Sequence, residues 1–210
     1  MISLPRLYAI LDASCFSNSE DLLRAAEELL AAGVTLLQYR NKTGDARAML
    51  TQALELIRRS RAGAPAPHYP RLIMNDRADL CLAAEFDGVH VGQGDLSPES
   101  ARKIIGGERW LGVSTHNPRQ VAEADGTSAD YIAIGPVFPT ASKLNPDPVI
   151  GLAGVQLARH LTRKPLVAIG GITRENCCAA IEAGADSVAV ISDLIRDPGK
   201  SAEEFLRILE

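Results

Sequence analysis

The sequence predicts an α/β protein, a (β/α)8 TIM barrel that forms a single domain over residues 1–210. Three observations carry that prediction. Short apolar runs alternate with longer amphipathic ones through eight rounds, with no shift in composition to mark a linker. The short runs are apolar throughout rather than at every second residue, as strands are in a parallel sheet covered by helices. The links after the helices are brief, and Ala-Gly helix ends recur, as at Ala32-Gly33-Val34 and Ala183-Gly184-Ala185. An open doubly wound sheet satisfies the same alternation. The barrel-like intervals between those helix ends favour closure.

In order, the first strand is 6–11 and the first helix 21–32, where Leu22, Leu23, Ala26, Leu29 and Leu30 fall at helical spacing and Gly33 ends the run. The second strand is 34–39 and the second helix 46–61. Strands follow at 71–74, 88–91, 110–113, 131–134, 165–169 and 187–190. Helices follow at 78–84, 98–105, 118–124, 152–160, 174–183 and 202–209. Residues 135–150 show no regular pattern, and a loop of that length in a compact domain is usually functional or mobile.

Composition narrows the class. With 46% apolar and 23% charged residues the chain is an ordinary globular protein, and no apolar run approaches the ~18 residues that span a bilayer. A net charge of −4 repels nucleic acid, and 4% aromatics supply few platforms for stacking bases. Cys15, Cys81, Cys177 and Cys178 lack the spacing of a disulfide framework or zinc knuckle. The first residues lack the basic-then-apolar order of a signal peptide, so a reducing cytoplasm is expected.

Parallel barrels build active sites at the C-terminal ends of their strands. The second strand delivers Gln38, Arg40 and Lys42, which alternation puts on one side. Two cations there suit a phosphate or diphosphate, Arg as a fork and Lys as a point charge. The third strand ends in Asn75-Asp76 and the fourth in Gly92-Gln93-Gly94-Asp95. Each Asp taken alone reads as a turn or helix cap; together, facing two cations, they make a candidate Mg²⁺ site, since Mg²⁺ takes one or two carboxylates plus substrate phosphates and water. The fifth strand ends in Ser114-Thr115-His116, where no nucleophile elbow is present and substrate-binding hydroxyls are the better reading. Thr140, Ser142 and Lys143 follow the sixth strand on a Pro-stiffened loop suited to an anion. Gly170-Gly171 after the seventh strand and Ile191-Ser192 after the eighth occupy the usual barrel position for a phosphate.

At these blocks the chain resembles the thiamine-phosphate synthase (thiamine phosphate pyrophosphorylase) family, to which the thiazole tautomerases are related. The resemblance rests on LYAILD, GVTLLQYRNK, LIMNDRADLCLAAEFDGVHVGQGDL, LGVSTHN, ADYIAIGPVFPTASK, IGLAGV and PLVAIGGIT with AGADSVAVISDLI, in order over nearly the whole chain. It implies a (β/α)8 barrel that condenses 4-amino-2-methyl-5-(diphosphooxymethyl)pyrimidine with a thiazole phosphate, giving thiamine phosphate and pyrophosphate by a dissociative, Mg²⁺-assisted substitution. Carried over by position, Gln38, Arg40, Lys42, Asn75, Ser114 and Lys143 bind the pyrimidine diphosphate. Tyr39 and Asn41 in the same block are counted with the substrate-binding residues, and Asp76 and Asp95 hold Mg²⁺. Thr140, Ala141, Ser142, Gly171, Ile191 and Ser192 line the thiazole phosphate site; Arg40, Lys42, Lys143 and Ser114 are the candidates for catalysis.

Three departures stand out. Asn41 replaces an acidic residue, Ala141-Ser142 replaces the more usual Pro-Thr, and Tyr39 sits where the family is often aliphatic or Phe. None removes a cation, a carboxylate or Lys143. The alternatives are a tautomerase-like enzyme and a non-catalytic barrel that binds a phosphate ligand. The partners expected are small-molecule substrates, without nucleic acid or membrane, and a homo-oligomer is left open.

Since the thiazole nitrogen is already a neutral nucleophile, the implied chemistry needs no protein base. Its difficult event is departure of the charged diphosphate. Lys143→Ala and Asp76→Ala are each expected to lower turnover by roughly 10²–10³, the loss typical of one donor to a developing anion. An endpoint assay for thiamine phosphate checks this, and near-wild-type turnover in both variants would reject the two assignments.

Overall fold

In the computed structural model, the predicted strands lie side by side in chain order and the last pairs with the first, closing a parallel barrel. The structure describes residues 2–62, 69–140 and 147–210. The strands are β1 (Leu7–Asp12), β2 (Leu36–Arg40), β3 (Arg71–Asn75), β4 (Gly88–Val91), β5 (Trp110–Thr115), β6 (Tyr131–Ile134), β7 (Leu166–Ala168) and β8 (Ser187–Val190). The helices are α1 (Ser19–Ala31), α2 (Ala46–Arg61), α3 (Ala78–Ala83), α4 (Pro98–Ile105), α5 (Pro118–Asp125), α6 (Gly151–Leu161), α7 (Cys177–Glu182), α8 (Ser192–Ile195) and α9 (Pro198–Leu209). None of them is long and apolar enough to cross a membrane.

Two helices start three or more residues from the expected position. α7 begins at Cys177 rather than Arg174, because residues 173–176 close a turn in which the Asn176 side chain accepts from Thr173 N at 2.8 Å. The Arg174 guanidinium is held off the helix by Asp193, 2.9 Å away. α9 begins at Pro198 rather than Ala202, since Asp197 caps it and Pro198 fits the first turn. The short segment after β8 forms a single helical turn, α8.

Alternation along the strands divides the apolar residues into two cores. Leu37, Tyr39, Leu72, Met74, Val89, Leu111, Ile132 and Val188 pack outward beneath the helices. Tyr8, Leu36, Ile73, Tyr131, Ala133, Val167 and Ala189 fill the barrel itself, with Ile10, Trp110 and Ile169 against them. Both faces are buried, which is why the strands read as continuous apolar runs.

The opposite end of the barrel is tied by a device used three times. Asp87, Asp130 and Asp186 each precede an even-numbered strand. Their carboxylates accept from Leu72 N, Leu111 N and Leu166 N at 2.8, 2.7 and 2.8 Å. In return their own amides donate to the carbonyls of those same residues. Arg102 covers Asp130 at 2.7 Å and Arg159 covers Asp186 at 2.9 Å. Removing the acid leaves a buried strand amide without an acceptor. Asp130→Ala is expected to destabilise the fold by about 1–3 kcal/mol in urea unfolding while leaving turnover per folded molecule unchanged, because Asp130 lies at the far end from the site described next. Unaltered stability would remove this device from the account.

Candidate active site at the C-terminal mouth of the barrel

The C-terminal strand ends enclose a cavity of about 540 Å³. Gln38 and Arg40 reach it from β2, with Lys42 just beyond the strand, and Asn75 and Asp76 reach it from the end of β3. Asp95, Ser114 and Thr140 line it after β4, on β5 and after β6; Gly171, Ile191 and Ser192 complete the wall after β7 and β8. Tyr39 and Asn41, expected to bind substrate, do not line it. Tyr39 has the odd position of β2 and points outward, packing edge-on against Phe86 and donating to Gln52 at 2.5 Å. Asn41 folds into its own turn, where its oxygen accepts from Thr43 N and Gly44 N. Ala141, Ser142 and Lys143 lie outside the described residues.

The charges at the mouth are paired. Arg40 is bonded to Asp12, the last residue of β1, and Lys42 Nζ sits 2.7 Å from Asp76 Oδ2. Asp12 and Arg40 are register partners on adjacent strands. Asp12 carried no signal in the sequence, where it reads as the end of an apolar run. Asp76 adopts φ +61°, a conformation costly for a residue with a Cβ, and its amide donates to His90 O at 2.8 Å. It does not cap α3, whose cap is Arg77 without a side-chain bond. Burial pushes the Asp76 carboxyl up, Lys42 draws it back, and the Asp95 carboxyl against it adds to the rise. Asp95 is itself aimed by Gly92 N, which donates to Oδ2 at 2.8 Å.

Two carboxylates forced together, with one lysine to balance them, suit a divalent cation. Among the described residues no cluster of three or more His, Cys, Asp or Glu could hold a metal. A hard cation that takes two carboxylates and fills its remaining positions with ligand oxygens and water needs no such cluster. Beside the pair, Asn75 Nδ2 is buried without a hydrogen-bond partner among the described residues. An orphaned donor in a cavity wall is costly unless a ligand acceptor completes it.

The wall below is polar where apolar strands were expected. His90, in the middle of β4, is buried, with Nε2 2.8 Å from Ser114 Oγ and Nδ1 3.0 Å from the Tyr131 hydroxyl. Ser114 is therefore partnered by His90 and not by its near neighbour His116. The His116 ring instead donates to Gly135 O at 2.6 Å, bracing the turn after β6.

A closed eight-stranded barrel with paired cations, two adjoining carboxylates and an orphan donor at its C-terminal mouth defines a barrel enzyme for an anionic, phosphorylated substrate. The comparisons narrow that class. The family model described as thiamine monophosphate synthase matches residues 7–194. A thiamine-phosphate synthase of Koribacter versatilis is 58% identical over 99% of this chain and 97% of its own length. One from Chloroflexus aurantiacus is 40% identical over 97% of this chain and 92% of its own. The solved thiamine phosphate pyrophosphorylase from Pyrococcus furiosus superposes with a TM-score of 0.84 at 30% identity, covering 97% of this chain and 95% of that one. The chain belongs to the thiamine monophosphate synthase family and is a transferase.

Burial lowers the His90 pKa from the ordinary 6.5 to about 4, against a smaller opposing pull from Asp95. Between those values the unfolded chain binds a proton at this position that the folded chain refuses, so stability falls as pH drops through the window. His90→Gln is expected to flatten that decline. Urea midpoints measured from about pH 7 to about pH 4 check it, and an unchanged slope would contradict a neutral His90.

Proposed function

We propose that the enzyme condenses 4-amino-2-methyl-5-(diphosphooxymethyl)pyrimidine with a thiazole phosphate to give thiamine phosphate and pyrophosphate, acting in the cytoplasm as a single domain. The observation that carries this reading is the gathering of Arg40, Lys42, Asp76 and Asp95 around the orphaned Asn75 amide at one mouth. Asp76 and Asp95 would hold Mg²⁺, whose charge offsets that of the departing diphosphate when it is bound. Arg40 offers a planar fork and Lys42 a mobile point charge to the same oxygens, with Lys143 as a third cation. Asn75 Nδ2 supplies a buried donor to them. Gln38 and Ser114, deeper in the cavity, take the pyrimidine ring.

The carbon–oxygen bond between the pyrimidine methylene and the diphosphate breaks first. The bond's electrons leave with pyrophosphate, and the electron-rich aminopyrimidine carries the positive charge left on the methylene. The thiazole nitrogen then attacks that carbon with its lone pair, so the positive charge ends on the thiazolium and no protein base is required. The protein contributes electrostatic stabilisation and alignment of the two substrates. Thr140, Ala141 and Ser142 with Gly171, Ile191 and Ser192 would seat the thiazole phosphate. Gly171 has φ +67°, and a Cβ there would stand 2.4 Å from Pro139 O, so only glycine brings the backbone this close.

Supplied with both substrates and Mg²⁺, the protein is expected to release pyrophosphate and thiamine phosphate in equal amounts and to stop when EDTA is added. Arg40→Ala is expected to lower kcat/KM by roughly 10²–10³. Turnover of a thiazole phosphate alone, indifferent to EDTA and without pyrophosphate, would assign tautomerase chemistry. Ligand binding without turnover would leave a binding barrel.

A further inference from the structure

Five side chains from five strands are joined in one hydrogen-bonded chain beneath the cavity. Gln38 Nε2 donates to the Tyr8 hydroxyl at 2.7 Å, and the Tyr8 and Tyr131 hydroxyls are 2.9 Å apart. Tyr131 meets His90 Nδ1 at 3.0 Å, and His90 Nε2 meets Ser114 Oγ at 2.8 Å. The first four residues are buried; Tyr8 and His90 line the floor of the cavity, and the two ends of the chain, Gln38 and Ser114, lie in its wall with bonding capacity left for a ligand. The fold makes room for this run at a single position. Gly112 lies in register between His90 and Tyr131 on adjacent strands, and a Cβ on it would fall 2.3 Å from the Tyr131 hydroxyl and 2.4 Å from His90 Nδ1. The missing side chain lets those two residues meet across β5.

Counting protons fixes the sense of every bond. An amide nitrogen only donates, so the Tyr8 oxygen accepts and its one proton goes to Tyr131. Tyr131 then donates to His90 Nδ1, which must be bare, and the imidazole proton lies on Nε2 and is given to Ser114 Oγ. The proton of Ser114 is left to point into the cavity. Reversing one link alone would set two protons or two lone pairs against each other at a buried site. Only the whole chain can reverse, and it does so when the Gln38 amide turns over.

We infer that this chain sets Gln38 and Ser114 in opposite senses, Gln38 accepting through Oε1 while Ser114 donates, and that Tyr8, Tyr131 and His90 are positioning residues that fix this pairing for the ring of the substrate. The pairing complements a heteroaromatic ring that carries both an N–H donor and a bare acceptor nitrogen. The identity of that ring rests on the function proposed above. The polarity of the chain is a property of the free protein, so either can fail without the other.

The test reads the tautomer of His90 by ¹⁵N NMR of the substrate-free protein near pH 8. Wild type is expected to show the Nε2–H form, and the Nδ1–H form would overturn the inference. Gln38→Glu, whose carboxylate can only accept, is expected to reverse every link and move the His90 proton to Nδ1. An unmoved proton in the folded variant would overturn the inference. With Tyr8→Phe cutting the chain, Gln38→Glu should no longer affect His90; a response that persists would show a direct field effect instead and also overturn it. Should Gln38→Glu not fold, kinetics decide. Tyr131→Phe should raise KM for the pyrimidine diphosphate about tenfold, with kcat and the thiazole KM within about twofold, and add little to Ser114→Ala. A parallel rise in both KM values would reduce Tyr131 to a packing role and overturn the assignment.

Discussion

A closed parallel barrel gives each strand one residue in two for its interior, and only residues at the C-terminal ends reach the mouth. That constraint decides what every other part of this molecule can do. Along β2 it sends Gln38 and Arg40 inward and Tyr39 outward, although all three sit in one motif. In the middle of the barrel it places Tyr8, His90 and Tyr131 at neighbouring depths, where they form the buried centre of a five-member polar chain whose ends lie in the cavity wall. At the opposite end the aspartate–amide exchanges hold the strand register on which this alternation depends. A slip of one residue in any strand would exchange its cavity residues for its core residues.

Much of this was legible in the residues. Eight apolar runs separated by amphipathic ones placed every strand to within a few residues, because strands buried on both faces have no polar positions to obscure their limits. Charged and amide side chains at or just after the end of an apolar run, as at Arg40, Lys42, Asn75, Asp76 and Asp95, mark a strand end that faces the cavity. What stayed hidden was hidden for physical reasons. Asp12 matters through Arg40, 28 positions away, and that contact arises only from the β1–β2 register. His90 sits inside GVHV, where a lone histidine reads as a tolerated core residue until Gly112 is seen to clear a path to Tyr131. The converse error was to read adjacency as function. Tyr39 and Asn41 lie between true cavity residues, yet alternation and an Asn-led turn remove both.

The site is held under electrostatic tension in a direction that suits its substrate. Among the described residues, both Arg40 and Lys42 at the mouth already have a carboxylate, Asp12 and Asp76 respectively, so neither collapses onto another part of the wall. The pairs differ in kind. Asp12 is almost wholly buried and holds Arg40 by a bond that solvent scarcely reaches. Lys42 is half exposed and its partner Asp76 has a second carboxylate pressing on it, so that pair is the weaker constraint. An incoming polyanion therefore meets one rigid cation and one that can change partners.

That difference bears on how charge would be redistributed when a ligand arrives. If Lys42 turns from Asp76 to a phosphate oxygen, the two carboxylates lose the one cation paired with them among the described residues just as a new anion enters. Positive charge coming in with the ligand beside Asp76 and Asp95 would offset that loss, since the partial burial of Asp76 makes an unbalanced carboxylate there costly. A diphosphate accompanied by a divalent cation meets that requirement; a bare monophosphate does not. On the function proposed, the wall would thus favour a doubly phosphorylated, metal-bearing substrate through the repulsion of its own acids as much as through the attraction of its bases.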